Sequence, residues 1–357
     1  MAGLYVHFPF CASKCIYCDF YARVRRDWGP YAEALLREIS DRSGDLNGVP
    51  PSTVYYGGGT PSLLPLPVLG RITDALRQTF GDGRIEEFTI EVNPDDIHAE
   101  KAAALQGLGI NRISMGVQSF CDEHLRWMRR RHTAADAATA FDTLRRAGFG
   151  NLSLDLIFGF SGLDDGQWQY NISQALALQP EHISCYQMSG RHADSDEERC
   201  RRQYLLLQER LSAAGYRQYE ISNYARPGFE SRHNRAYWER LPYLGLGAGA
   251  HSFDGDSRRC WNTPDIDAYI ASRPGGEERL SGREILEEKL MLGLRTLRGI
   301  DLSRLSPAER TAIDETALEE LSRAGKLIRE GEQIRIPAPE IFVSDWIISR
   351  LFPSSNA

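Results

Sequence analysis

The chain has 357 residues, 42% of them hydrophobic and 25% charged, with a formal net charge of −7. That length can hold one large domain plus a smaller one, and the acidic balance argues against general nucleic-acid binding. No apolar run approaches the roughly 20 residues of a membrane span, and seven cysteines, an odd number, do not make a secreted disulfide framework. The start, Met1-Ala2-Gly3-Leu4, enters strand-like sequence at once, without the basic and apolar regions of a signal peptide. The expected location is the cytoplasm.

Residues 4–8 read as a first strand, which runs directly into a loop carrying Cys11, Cys15 and Cys18. Thiolates are soft ligands, and three from one loop suit an iron–sulfur cluster or zinc. A structural zinc site wants four closed ligands, for which His7 is the available fourth. A cubane cluster has four irons, so three cysteines leave one iron open to chelate the amino and carboxylate groups of a small molecule. Cys121, Cys185, Cys200 and Cys260 stand alone.

Further strands are expected over residues 53–56, 88–92, 112–117, 152–157 and 182–186. Helical spacing lies between them at 67–80, 99–108, on both sides of Thr133, and at 168–178. Six βα units in sequence predict a parallel sheet with covering helices. A complete barrel has eight, so the expected architecture is α/β: a partial (β/α)6 TIM-like barrel whose gap is filled by the C-terminal half. In such folds the chemistry sits on loops at the carboxyl ends of strands, where the cysteine loop falls. Residues 272–276 read as a linker. Helices near 284–297 and 307–324 and a hairpin over 326–336 then predict a small winged-helix-like domain. The expected division is 1–190 for the barrel, 191–275 for its extension and 276–357 for the C-terminal domain. The apolar stretch 341–348 reads as core packing, with a peripheral membrane- or partner-docking face as the alternative.

The C-x3-C-x2-C spacing, with Tyr17 before the last cysteine, is the pattern of radical S-adenosylmethionine (SAM) proteins. The chain resembles the oxygen-independent coproporphyrinogen oxidase-like members of that superfamily, and within them the HemW-type haem chaperones. The resemblance runs through Gly57-Gly58-Gly59-Thr60-Pro61-Ser62, Glu91-Val92-Asn93-Pro94, Gly116-Val117-Gln118-Ser119-Phe120, Asp155-Leu156-Ile157-Phe158-Gly159 and Gly245-Leu246-Gly247-Ala248-Gly249-Ala250-His251-Ser252. It implies a [4Fe–4S] cluster on Cys11, Cys15 and Cys18, and SAM held by Tyr5, Tyr17, Gly58, Gly59, Thr60, Glu91, Gln118, Arg130, Asp155 and Ile157. A guanidinium at Arg130 suits a carboxylate better than an ammonium does. Its neighbours Arg129 and Arg131 read as a solvated helix end.

Two features separate the subfamilies. Coproporphyrinogen oxidases carry a fourth cysteine two residues after the third, whereas this chain has Phe20. The segment His233-Asn234-Arg235-Ala236-Tyr237-Trp238 matches the H-N-x-x-Y-W motif that the resemblance links to haem, with His233 as a candidate iron ligand and Tyr237 and Trp238 as walls of a porphyrin slot. The competing reading of His233 is a buried histidine with an aromatic anchor. The resemblance implies a chaperone that binds haem as cargo and passes it to a respiratory apo-protein, as a monomer or a haem-linked dimer. The alternative is radical SAM decarboxylation of coproporphyrinogen in porphyrin biosynthesis. Two departures stand out: a short segment after Met188 without the usual Glu-Pro-Gly-Thr, and a turn, Gly159-Phe160-Ser161-Gly162, without its usual proline.

Overall fold

The computed structural model describes residues 2–25, 27–46, 48–81 and 85–353. Its elements in chain order are β1 (Ala2–Phe8), α1 (Trp28–Asp41), β2 (Pro51–Gly58), α2 (Leu66–Phe80), β3 (Glu87–Val92), α3 (Ala99–Gly107), β4 (Arg112–Gln118), α4 (Asp122–Trp127), α5 (Ala134–Arg146), β5 (Leu152–Phe158), α6 (Asp165–Ala177), β6 (His182–Gln187) and α7 (Glu197–Ala213). The strands β1 to β6 pair side by side, all parallel. This is the six-stranded barrel wall expected from the sequence.

Along these strands the pleat sorts side chains by chemistry. Val54 and Tyr56, Ile113 and Met115, Leu154 and Leu156, and Ile183 and Cys185 are all buried and occupy alternate positions. Between them come Tyr55, Arg112 and Ser114, Ser153 and Asp155, and Ser184. Successive side chains point to opposite faces of a strand, so one face packs on helices and the other lines an interior that is mostly polar. Both faces of an ordinary parallel sheet are apolar; this one keeps a polar interior because it encloses a site.

The C-terminal half adds its strands at the open edges of this wall. After α7 come β7 (Arg217–Gln218), β8 (Asn223–Ala225), α8 (Arg232–Trp238), β9 (Tyr243–Leu246), β10 (His251–Phe253), β11 (Arg258–Trp261), α9 (Ile266–Ile270) and β12 (Gly276–Arg279). These short strands lengthen the sheet at both edges, giving the order β12-β11-β10-β9-β1-β2-β3-β4-β5-β6-β8-β7. β9 joins β1 in parallel, and β10 to β12 continue antiparallel. Residues 272–276 are therefore not a linker up to their end. Gly276 begins a strand paired with Trp261, so the first four residues of the expected C-terminal domain, 276–279, belong to the large sheet.

The remainder comprises α10 (Gly282–Leu294), β13 (Ile300–Asp301), α11 (Pro307–Ala312), α12 (Glu315–Arg323), β14 (Ile328–Glu330), β15 (Gln333–Arg335) and α13 (Ser344–Ser349). Its three strands form an antiparallel sheet in the order β13-β15-β14, the wing-like arrangement the sequence predicts. The single helix expected over 307–324 is two. Asp314 caps the second by accepting from the Ala317 amide, while Ile313 is extended. In the stretch 341–348, Ile341, Ile347 and Ile348 are buried, as core packing requires, whereas Trp346 is 53% exposed. No helix among the described residues is long and apolar enough to cross a membrane.

Candidate functional site

A cavity of about 820 Å³ opens at the carboxyl ends of the parallel strands. Cys11, Cys15, Cys18 and Tyr17 border it from the loop after β1, together with Gly58, Gly59 and Thr60 at the end of β2. Glu91 comes from β3, Gln118 from β4, Arg130 from the segment after α4, and Asp155 and Ile157 from β5. Twelve residues named from the sequence thus meet in one place.

The local chemistry explains their positions. The hydroxyl of Thr60 reaches the Cys11 sulfur at 3.7 Å, and an Arg130 Nη reaches the Cys15 sulfur at 3.6 Å. Burial pushes the Cys11 thiol up to about 11. No three His, Cys, Asp or Glu side chains among the described residues converge tightly enough to hold one metal ion. A single zinc would need its ligands all about 2.0–2.3 Å from one point; a cubane instead spreads its cysteines over separate irons. His7, the fourth ligand of the zinc reading, is already engaged. Its Nε2 faces the Tyr21 carbonyl at 2.9 Å and its Nδ1 the Tyr5 hydroxyl at 3.0 Å. The donor set fits a cluster rather than zinc.

Gly58 has φ of +109°, a region glycine tolerates and L side chains rarely enter. A Cβ on Gly59 would lie 2.5 Å from the Phe10 carbonyl oxygen. Gly58 is therefore required by its backbone conformation and by the His7 ring against it, and Gly59 by the close approach of the backbone leading into the cysteine loop. The Gly58 amide donates to Glu91 Oε2 at 3.1 Å, and the Tyr55 hydroxyl donates to Glu91 Oε1 at 2.9 Å. Burial pushes the Glu91 carboxyl up to about 7 and that of Asp155 to about 6. Two neighbouring carboxyls in a low-dielectric interior disfavour each other's charge.

Arg130 donates to Asn93 Oδ1 and to the Gly116 carbonyl, both at 2.6 Å. Its buried Nε has no partner among the described residues. The Arg130 side chain borders the cavity, and a guanidinium there suits a carboxylate ligand. Gln118 is held at φ of +69° beside an irregularity in the β4–β5 pairing, strain of the kind that collects at functional sites. Arg131, which also borders the cavity, is paired with Asp95 and Asp96.

Tyr5 departs from its expected place. It lies three residues before the end of β1, too deep to reach the mouth, and it borders a second cavity of about 450 Å³ with Tyr237 and Trp238. His233 opens into neither cavity. It is 1% exposed, with Nδ1 2.8 Å from the Thr53 hydroxyl and Nε2 2.8 Å from the Tyr237 hydroxyl. Its ring packs against those of Tyr55 and Tyr5, at centroid distances of 5.1 and 6.5 Å. Burial lowers its pKa to about 3, so it is neutral. With both ring nitrogens bonded, His233 is the buried anchor of the competing reading and has no free lone pair for iron. Asn93, Arg112, Ser114, Ser184 and Asn234 also border the first cavity and were not foreseen. The alternation Arg112-Ile113-Ser114-Met115 was the signal that could have found two of them.

A model of the radical SAM superfamily matches residues 5–172, and one of the HemN C-terminal domain matches residues 280–343. A heme chaperone HemW from Synechocystis is 38% identical over 86% of this chain and 81% of its own length. Its namesake from Bacillus subtilis is 34% identical over 93% and 94%. The chain belongs to the HemW-type family of radical SAM proteins. Its fold is that of the radical SAM enzyme coproporphyrinogen III oxidase (HemN) from Escherichia coli, with a TM-score of 0.85, 98% of this chain and 89% of that one covered, and 23% identity. A HemW-type chain with Phe20 in place of the oxidases' fourth cysteine agrees with the subfamily expected from the sequence.

Proposed function

We propose that the chain is a haem chaperone that binds a [4Fe–4S] cluster through Cys11, Cys15 and Cys18, holds SAM in the first cavity, and carries haem to a respiratory apo-protein in the cytoplasm. The observation that carries this reading is the meeting of three thiols from one loop with the Arg130 guanidinium and a glycine-lined strand end in a single cavity. The cluster would supply an open iron for the amino and carboxylate groups of SAM. Arg130 would take the SAM carboxylate through the part of its guanidinium that borders the cavity, and Glu91 and Asp155 would accept hydrogen bonds from its ammonium or ribose hydroxyls. Tyr17 and Met188 would exclude water at the rim. The relatives named heme chaperone supply the cargo.

Titration of hemin into the anaerobically reconstituted protein tests the reading, run beside a coproporphyrinogen consumption assay with SAM and reductant. Saturable hemin uptake without porphyrinogen turnover is expected. Turnover at enzyme-like rates would replace the chaperone by the decarboxylase.

A further inference from the structure

The second cavity lies behind Tyr5, on the side of β1 occupied by β9, β10 and β11, and is closed from below by α8 and α10. Nothing in the SAM reading uses it. Its chemistry differs from that of the first. Tyr237, Tyr243 and Phe253 form aromatic walls, Tyr237 and Tyr243 meeting edge to face at 4.6 Å between centroids. At one end the Arg240 and Arg259 guanidinium groups lie over Phe253, 4.8 and 5.6 Å from its centroid, and share the single carboxylate of Glu288. Glu278 is more distant, 3.8 Å from Arg259. Arg240 and Arg259 thus meet at Glu288, with Glu278 beside Arg259 and Asp19 also bordering the cavity. The buried Trp238 Nε1 has no hydrogen-bond partner among the described residues.

A flat apolar ring with carboxylates on one edge matches such a site: aromatic surface for its faces and arginine for its anionic edge. The metal at its centre needs a ligand. Of the two histidines bordering the cavity, His7 has both nitrogens bonded, to Tyr5 and Tyr21. The Tyr237 hydroxyl is taken by His233. His251 is exposed, its ring stacked on Trp261 at 5.7 Å between centroids, and neither nitrogen has a hydrogen bond among the described residues. Imidazole with a free nitrogen on a fixed ring plane is a fit axial ligand.

We infer that the second cavity is the seat of the tetrapyrrole, with the His251 imidazole as iron ligand and Arg259, beside Arg240, as receptor of the propionates. This rests on the haem reading above. It assigns His233 a positioning role: its Nε2 holds the Tyr237 hydroxyl and so fixes one aromatic wall. Asp19 and Phe20 border both cavities, so the cargo would sit one residue layer from the cluster loop.

Hemin, and separately hemin dimethyl ester, is titrated into the cluster-loaded full chain and followed by the Soret band. His251→Ala is expected to weaken hemin at least ten-fold and to shift the band. Arg259→Gln should weaken hemin several-fold but leave the diester unchanged. Leu292→Trp, which fills the cavity from α10, should block uptake while SAM binding stays as in the unaltered chain. Wild-type affinity and band position in His251→Ala, or undiminished uptake by Leu292→Trp, would overturn the seat while leaving the chaperone reading intact. No hemin uptake by the unaltered chain would overturn both.

Discussion

The two cavities share one sheet face yet are built from opposite chemistries. The first is lined by carboxyls, guanidinium groups, thiols and bare backbone at strand ends; the second is lined largely by aromatic rings, with Arg240, Arg259 and Glu288 gathered at one end. Between them stand Tyr5, Tyr55 and His233, stacked as a wall. A polar interior suits a small zwitterion that must be oriented, and an aromatic one suits a large apolar ring that must be shielded. The H-N-x-x-Y-W segment serves both: Asn234 borders the first cavity, Tyr237 and Trp238 the second, and His233 pins the wall. The motif therefore builds a partition.

The largest expected effect is on the first side. Replacing Cys11, Cys15 and Cys18 together by Ala should abolish the cluster, since thiolates are the only soft ligands at that loop. Iron and sulfide counts after anaerobic reconstitution check this, and a cluster surviving in the triple variant would refute the assignment. The wall comes next. His233→Ala leaves the Thr53 and Tyr237 hydroxyls without their partner and opens a buried void. It should cost about 2–4 kcal/mol in urea unfolding, an effect on the whole fold that a surface iron ligand would not have. A stability within about 0.5 kcal/mol of the unaltered chain would remove His233 from the wall.

Arg130→Lys should weaken SAM by roughly 1.5–3 kcal/mol, the value of a charged hydrogen bond, because an ammonium keeps the charge but loses the planar fork that Asn93 and the Gly116 carbonyl hold in place. Equilibrium binding of SAM to the cluster-loaded chain reads this out, and hemin uptake should not change. Equal SAM affinity would remove Arg130 from the carboxylate site.

How much of this was legible in the sequence depended on length and on period. β1 to β6 were readable because each is at least six residues long and bounded by turn residues. β7 to β12 were not: strands of two to four residues carry too few alternations to register, and their pairing with β1 and β6 is set by tertiary packing. The cysteine loop and the strand-end residues were readable because their spacing is chemical. The placement of Tyr5 and the engagement of His233 were not, because the depth of a side chain along a strand and the partners of a ring nitrogen depend on Thr53 and Tyr237, 180 residues back in the chain and one helical turn ahead.

A further expected effect is the most particular to the first cavity. In the folded, unliganded chain Glu91 titrates near 7 because burial disfavours its charge, against an ordinary value of 4.5. The folded state thus holds a proton that the unfolded state releases between those values. Stability from this group is fully present below pH 4.5 and is lost as pH rises through 7. Urea unfolding of the chain without cluster or SAM should therefore show stability falling across that window, with Asp155, raised to about 6, adding to the slope. Glu91→Gln removes the titration while keeping an acceptor for the Tyr55 hydroxyl, so its unfolding curve should be flatter between pH 4.5 and 7. An unchanged slope in Glu91→Gln would place the proton on another group. An Arg259→Gln chain, altered in the second cavity and away from Glu91 and Asp155, should keep the unaltered slope, which ties the pH dependence to one side of the wall.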